Sequence, residues 1–199
     1  MKRVELFLLI LVIGSLWGFF EMLQLPVFIL CAVGLFFLVL GRRVIDIPGS
    51  SILIGLLVCF YKTYSDHFFV CQWAGVMALA VSFELFTSLI FKENWYTRFN
   101  LVLIGILTNI SALFVFTASV NFIFPEPYWV SGGIERVLNY ALYTSLPAAF
   151  ISGLITAPMG NLAGSKFSQL NFPMQRKLVP GIYLMASLFL WIAASINKI

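Results

Sequence analysis

The sequence predicts an all-α integral membrane protein, a bundle of six to seven transmembrane helices forming a single domain over residues 1–199. Three observations carry this. The chain is 61% hydrophobic and only 10% charged, against about 25% charged residues in a soluble domain. Its mean hydropathy is +1.01. Its apolar runs are long and unbroken, as in LFLLILVIGSLWGFF. Barrel strands alternate apolar and polar over about 10 residues, and continuous runs do not. A backbone in hydrocarbon must satisfy its own hydrogen bonds, which leaves helices.

Seven apolar segments cover residues 4–22, 26–41, 50–65, 69–91, 100–122, 137–159 and 179–196. A membrane span takes about 20 residues. The second and third fall short, so tilting, bilayer thinning or a broken or re-entrant helix is open there, and the number is six or seven. The first starts like a signal peptide but runs the length of a span with no A-x-A-like site behind it, and is expected to be retained. Gln24-Leu25-Pro26 parts the first two segments, since proline disfavours helix before it and can begin a new one. GRRVIDIPGS reads as a polar turn, KENWYTRFN as a connection, and FPEPYWVSGG as a loop punctuated by proline and glycine. GSKFSQLNFPMQRK leads into the last segment.

Lysine and arginine placement sets the expected orientation. With the N-terminus in the cytoplasm, seven crossings leave Lys2, Arg3, Arg42, Arg43, Lys92, Arg98, Lys166, Arg176 and Lys177 inside. Only Lys62, Arg136 and Lys198 fall outside. The net charge of +4 is therefore a topology signal rather than a nucleic-acid footprint. The expected location is a prokaryotic cytoplasmic membrane.

No HExxH, GxSxG, Walker or Cys-rich metal pattern occurs. With one histidine, His67, and no clustered carboxylates, no catalytic residue, metal or cofactor is expected. Cys31, Cys59 and Cys71 read as small core residues. Trp17, Trp73, Trp95 and Trp129 read as interfacial.

Polar residues in apolar surroundings are the informative ones, because a charge at membrane depth costs at least about 2.5 kcal/mol. Glu84 and Asn109 are expected at similar depth on neighbouring helices, near Thr108, Ser88 and Ser111. They read either as interhelical glue, with Glu84 hydrogen-bonded to Asn109, or as a proton or ligand site. A second set gathers at the predicted outer face: Glu21, Gln24, Lys62, Asp66, His67, Asn121, Glu126, Tyr128 and Trp129. The sixth segment adds Arg136, Asn139, Tyr140 and Tyr143, whose spacings of three, four and seven share one helix face. This set reads either as a small-molecule pocket, with Arg136 or Lys62 holding an anionic group, or as an aromatic belt with snorkelling charges. Glu21 interrupts the apolar run FFEML and leans towards function.

Gly14 and Gly18 form a GxxxG that lets helix backbones approach, and Gly160 and Gly164 form another. Small residues four apart in the first helix, the GRRVIDIPGSSILIGLL connection, a length near 200 residues and the polar outer mouth together resemble the substrate-binding S components of energy-coupling factor (ECF) vitamin transporters. The resemblance is one of layout across most of the chain. It implies a small-molecule ligand bound near the outer face, and docking through Gly14 and Gly18 onto a separate transmembrane coupling subunit that carries two ATPases. Those subunits usually have six helices and an alanine-based docking motif, and this chain departs on both points. Three other classes stay open: an autonomous carrier or channel, a membrane enzyme acting on a lipid or isoprenoid, and an assembly subunit.

Overall fold

The computed structural model describes residues 3–23, 25–63, 70–169 and 178–196, and among these every regular element is helical. The elements are α1 (Arg3–Glu21), α2 (Val27–Ile45), α3 (Ser50–Lys62), α4 (Val70–Leu85), α5 (Arg98–Ala118), α6 (Pro127–Tyr140), α7 (Leu146–Ile151), α8 (Ala157–Gln169) and α9 (Leu178–Ile196). Single π-helical turns extend α4 through Phe86–Ile90 and α5 through Ser119–Ile123. Two more, Ala141–Ser145 and Ser152–Thr156, weld α6, α7 and α8 into one rod.

Among the described residues each of the seven apolar segments coincides with one helical rod or part of one, apart from single end residues such as Met22, Pro26, Thr63 and Phe91. Five of these rods are long and apolar enough to cross a bilayer: Val4–Glu21, Val27–Ile45, Val70–Ile90, Arg98–Ile123 and Pro127–Gln169. Helix α3 has 13 residues, or about 20 Å at 1.5 Å per residue, well short of the roughly 30 Å of hydrocarbon. The rod containing α6 outruns its expected bounds at both ends. Pro127 sits in the first turn, where its missing N–H costs nothing. The paired glycines bend this helix without ending it: Gly133 takes φ 53°, ψ −151°, a conformation open to glycine alone.

Helix α2 likewise runs past residue 41, to Ile45, with Arg42 buried. Asp46 closes it in the left-handed conformation (φ 45°), donating its N–H to the Arg42 carbonyl at 2.9 Å. Gly49, at φ 87°, then turns the chain into α3.

Helix α1 packs on α3, α9 and α2, while α2 packs chiefly on α8, α3 on α4, and α4 on α5. Glycines set the closest crossings. A Cβ at Gly14 would lie 2.7 Å from Leu57 Cδ2, and one at Gly18 2.5 Å from the Tyr61 ring. The GxxxG of α1 is thus filled from within by α3. Within this chain the face of Gly14 and Gly18, expected to dock a partner, is covered by α3. Gly160 and Gly164 are likewise closed against α2, by Phe36 and Val39 and by Arg43.

The core is built from Trp17, Leu35, Leu38, Ile54, Val58, Phe83 and Ile104, all fully buried. Trp17, Trp95 and Trp129 are also buried, which corrects their reading as interfacial anchors. Trp17 fits into the notch at Gly34.

Candidate functional site

A cavity of about 380 Å³ lies between α1, α2, α3, α4, α5 and α6. Its floor and flanks are apolar: Val27, Leu30, Val76, Leu79, Ala112 and Leu113. Gly75, on α4, leaves room where a side chain would intrude. Polar atoms come from few places, as is usual in small-molecule sites.

The first is the end of α1. Trp17 and Glu21 are four residues apart, so they share a helix face. The Trp17 indole N–H donates to Glu21 Oε1 at 3.0 Å. Lys62, the last residue of α3, brings its Nζ to 2.8 Å from Glu21 Oε2 and donates to the Glu21 backbone carbonyl at 3.2 Å. An ammonium against the last carbonyls of a helix also satisfies the negative end of its dipole. Glu21 and Lys62 are only 9% and 8% exposed, so the pair is nearly desolvated where it meets the cavity.

The second is an aromatic wall. Trp129 packs edge-on against Phe116 (ring centroids 5.0 Å, 85° between planes) and Tyr140 (5.2 Å, 88°), and Phe116 and Tyr140 tilt together at 5.3 Å. Edge-to-face packing of this kind holds the rings in place. Asn109, Gln72 and Ser145 add neutral polar groups, and the Cys31 and Cys71 thiols also face the space.

Of the residues singled out from the sequence, Glu21, Lys62, Asn109, Trp129 and Tyr140 line this cavity together. Gln24, Asp66 and His67 lie outside the described residues. The remaining assignments are corrected. The Arg136 guanidinium stacks over the Tyr128 ring at 4.0 Å and does not reach the cavity. Asn139 is exposed and Tyr143 is 74% exposed. Asn139 lies in α6 before any change of period and faces outward, whereas Tyr143 lies inside the π turn at Ala141–Ser145, which inserts an extra residue into the helical repeat. Within that turn, Ser145 lines the cavity and Tyr143 does not.

Glu84 joins helices, as the glue reading expected, but through other partners than Asn109. Its carboxylate accepts hydrogen bonds from the backbone N–H groups of Gly49 (2.8 Å) and Ser51 (3.3 Å) and from the Ser88 hydroxyl, with Arg42 Nη1 at 3.8 Å. The first N–H groups of a helix have no partner within it, and Glu84 supplies one to α3 from a different helix. Asn109 instead donates to its own helix, to the Gly105 carbonyl at 2.9 Å. The expected Glu84–Asn109 contact is therefore replaced by two separate arrangements, and Glu84 is not part of the cavity.

Trp17, Gln72, Phe116, Ser145 and the two thiols were not singled out as site residues. Trp17 had a signal, an indole four residues before the buried acid Glu21. Cys31 and Cys71 had none beyond being small. Among the described residues no group of three or more His, Cys, Asp or Glu side chains stands close enough to hold a metal ion. Compared with known proteins, the chain matches no protein-family model, no curated protein and no solved structure.

Proposed function

We propose that this chain is an integral membrane protein that binds a small molecule in the cavity between α1 and α6 and acts as a transport subunit. The cavity itself carries the reading: a largely apolar cleft of about 380 Å³ lined by a desolvated ion pair and an aromatic wall is costly to leave in a core that serves only packing.

Two further observations support the membrane setting. The outer surface is apolar, with Phe7, Phe99, Phe114, Phe122, Ile134 and Phe189 all well exposed. Arg42, Arg43, Lys92, Arg98 and Lys166 gather at the end of the bundle away from the Glu21–Lys62 pair, where Arg43 stacks on Tyr96 at 4.5 Å and packs on Gly164. That end is the cytoplasmic one by the positive-inside rule, which puts the N-terminus inside and the cavity in the outer half.

The energy for transport comes from a partner, as in the ECF systems the layout resembles. With Gly14 and Gly18 covered by α3, the partner docks on another face. Purification from the native membrane in mild detergent, with mass spectrometry of proteins and small molecules, tests this. Recovery of an ATPase pair with a bound metabolite is the expected result. A chain that drives uptake alone in liposomes is an autonomous carrier. One that turns over a lipid is an enzyme, and one that holds neither ligand nor ATPases but binds other membrane subunits is an assembly factor.

A further inference from the structure

We infer that the cavity selects a molecule with no net charge: a flat, uncharged ring system bearing hydrogen-bonding groups. This rests on the binding reading above and names the ligand class for the same site.

The charges of the cavity wall cancel. Glu21 and Lys62 are the only ionisable Asp, Glu, Lys, Arg or His side chains among the described lining residues. They face each other at 2.8 Å. Neither is waiting for a counterion. Glu21 Oε1 is taken by the Trp17 indole and Oε2 by Lys62, and the Lys62 ammonium also serves the carbonyl at the end of α1. Both side chains are more than nine-tenths buried. An anionic ligand that captured Lys62 would strand the Glu21 carboxylate in an apolar wall, and a cationic ligand that captured Glu21 would strand Lys62. Removing one member of a buried pair is heavily penalised for that reason. Arg136, the other cation expected at the site, stacks on Tyr128 and is not part of the cavity wall. The other polar side chains of the wall are all uncharged: the amides of Asn109 and Gln72 and the hydroxyls of Tyr140 and Ser145. The rings of Phe116, Trp129 and Tyr140 present flat apolar faces and edges that suit a planar guest.

Three probes that share one ring and differ in charge at pH 7 decide the matter: 2-naphthamide (neutral), 2-naphthoate (anion) and 2-naphthamidine (cation). Each is titrated into the full-length protein in lipid nanodiscs, followed by tryptophan fluorescence and calorimetry. The small molecules released by denaturing the natively purified protein are identified in parallel. The expected result is that the amide binds at least about tenfold more tightly than either ion, a difference of about 1.4 kcal/mol, and that any released molecule is neutral at pH 7. Glu21→Gln, which leaves Lys62 unpaired, is expected to shift the preference towards the naphthoate by at least about tenfold, and Lys62→Gln towards the naphthamidine. If a variant does not fold, the wild-type series still decides. Equal binding of all three probes, preference for an ion, or recovery of a charged metabolite overturns the neutral class while leaving a small-molecule site in place. No probe binding together with no recovered molecule overturns the binding reading, and this inference with it.

Discussion

Two acids sit alone in apolar stretches of this chain, and the fold uses them in opposite ways. Glu84 is sealed at the basic end, where it completes the first turn of α3 and stands beside Arg42. Glu21 is held at the other end by Lys62 and Trp17 and forms part of a cavity wall. Each is buried and each has a basic neighbour. The difference lies in what else the carboxylate touches. Glu84 is bonded to backbone, so its loss unravels an element. Glu21 is bonded to side chains beside open space, so its loss changes what that space will accept. A buried acid in a membrane-like sequence is thus not by itself a binding residue.

The comparison can be broken in order of expected effect. Glu84→Ala removes the partner of two backbone N–H groups and leaves Arg42 uncompensated. It should cost about 3 kcal/mol or more, read by thermal unfolding in detergent, while the molecules that remain folded bind ligand with unchanged affinity. Glu84→Gln, which keeps an acceptor oxygen, should cost less. Equal binding losses at Glu84 and Glu21 would abolish the distinction drawn here. Lys62→Met leaves the buried Glu21 carboxylate without its partner and should cost about 3 kcal/mol of stability, read by thermal unfolding in detergent. Gly14→Leu forces a side chain into Leu57 and should destabilise the fold by about 2–3 kcal/mol. If it instead left stability intact and detached a partner subunit, the covered face would have to open. Trp129→Ala deletes the middle of the aromatic wall and should weaken ligand binding by about 2 kcal/mol, close to thirtyfold, in direct titration. Arg136→Ala, Asn139→Ala and Tyr143→Ala should each change ligand affinity by less than about 0.5 kcal/mol. A larger loss at any of them would return the outer polar stripe to the site.

The helical segments were legible in the sequence because hydrophobic runs report burial and length directly. The ends were less so. Arg42 looked like the start of a polar turn, yet α2 carries it inside because Glu84 awaits it there. Site residues followed the same division. Glu21 and Lys62 could each be picked out as a charge at the end of an apolar run, but not as a pair. Their contact spans 41 residues and depends on how α1 crosses α3. The stripe on α6 came apart for two reasons: a π turn at Ala141–Ser145 breaks the 3.6-residue period at Tyr143, while Arg136 turns to Tyr128 and Asn139 faces outward on the regular helix before it. Glu84 and Asn109 were expected to meet because depth alone was used. Depth says nothing of facing direction, and Asn109 is turned to its own backbone.

The capping of α3 also bears on how the chain is made. The carboxylate that finishes this helix leaves the ribosome 33 residues after the Ser51 amide it serves. Until it does, α3 has an open first turn and Arg42 has no counter-charge from Glu84. The first turn of α3 is therefore completed only once α4 has been made, so the two helices finish folding as one unit.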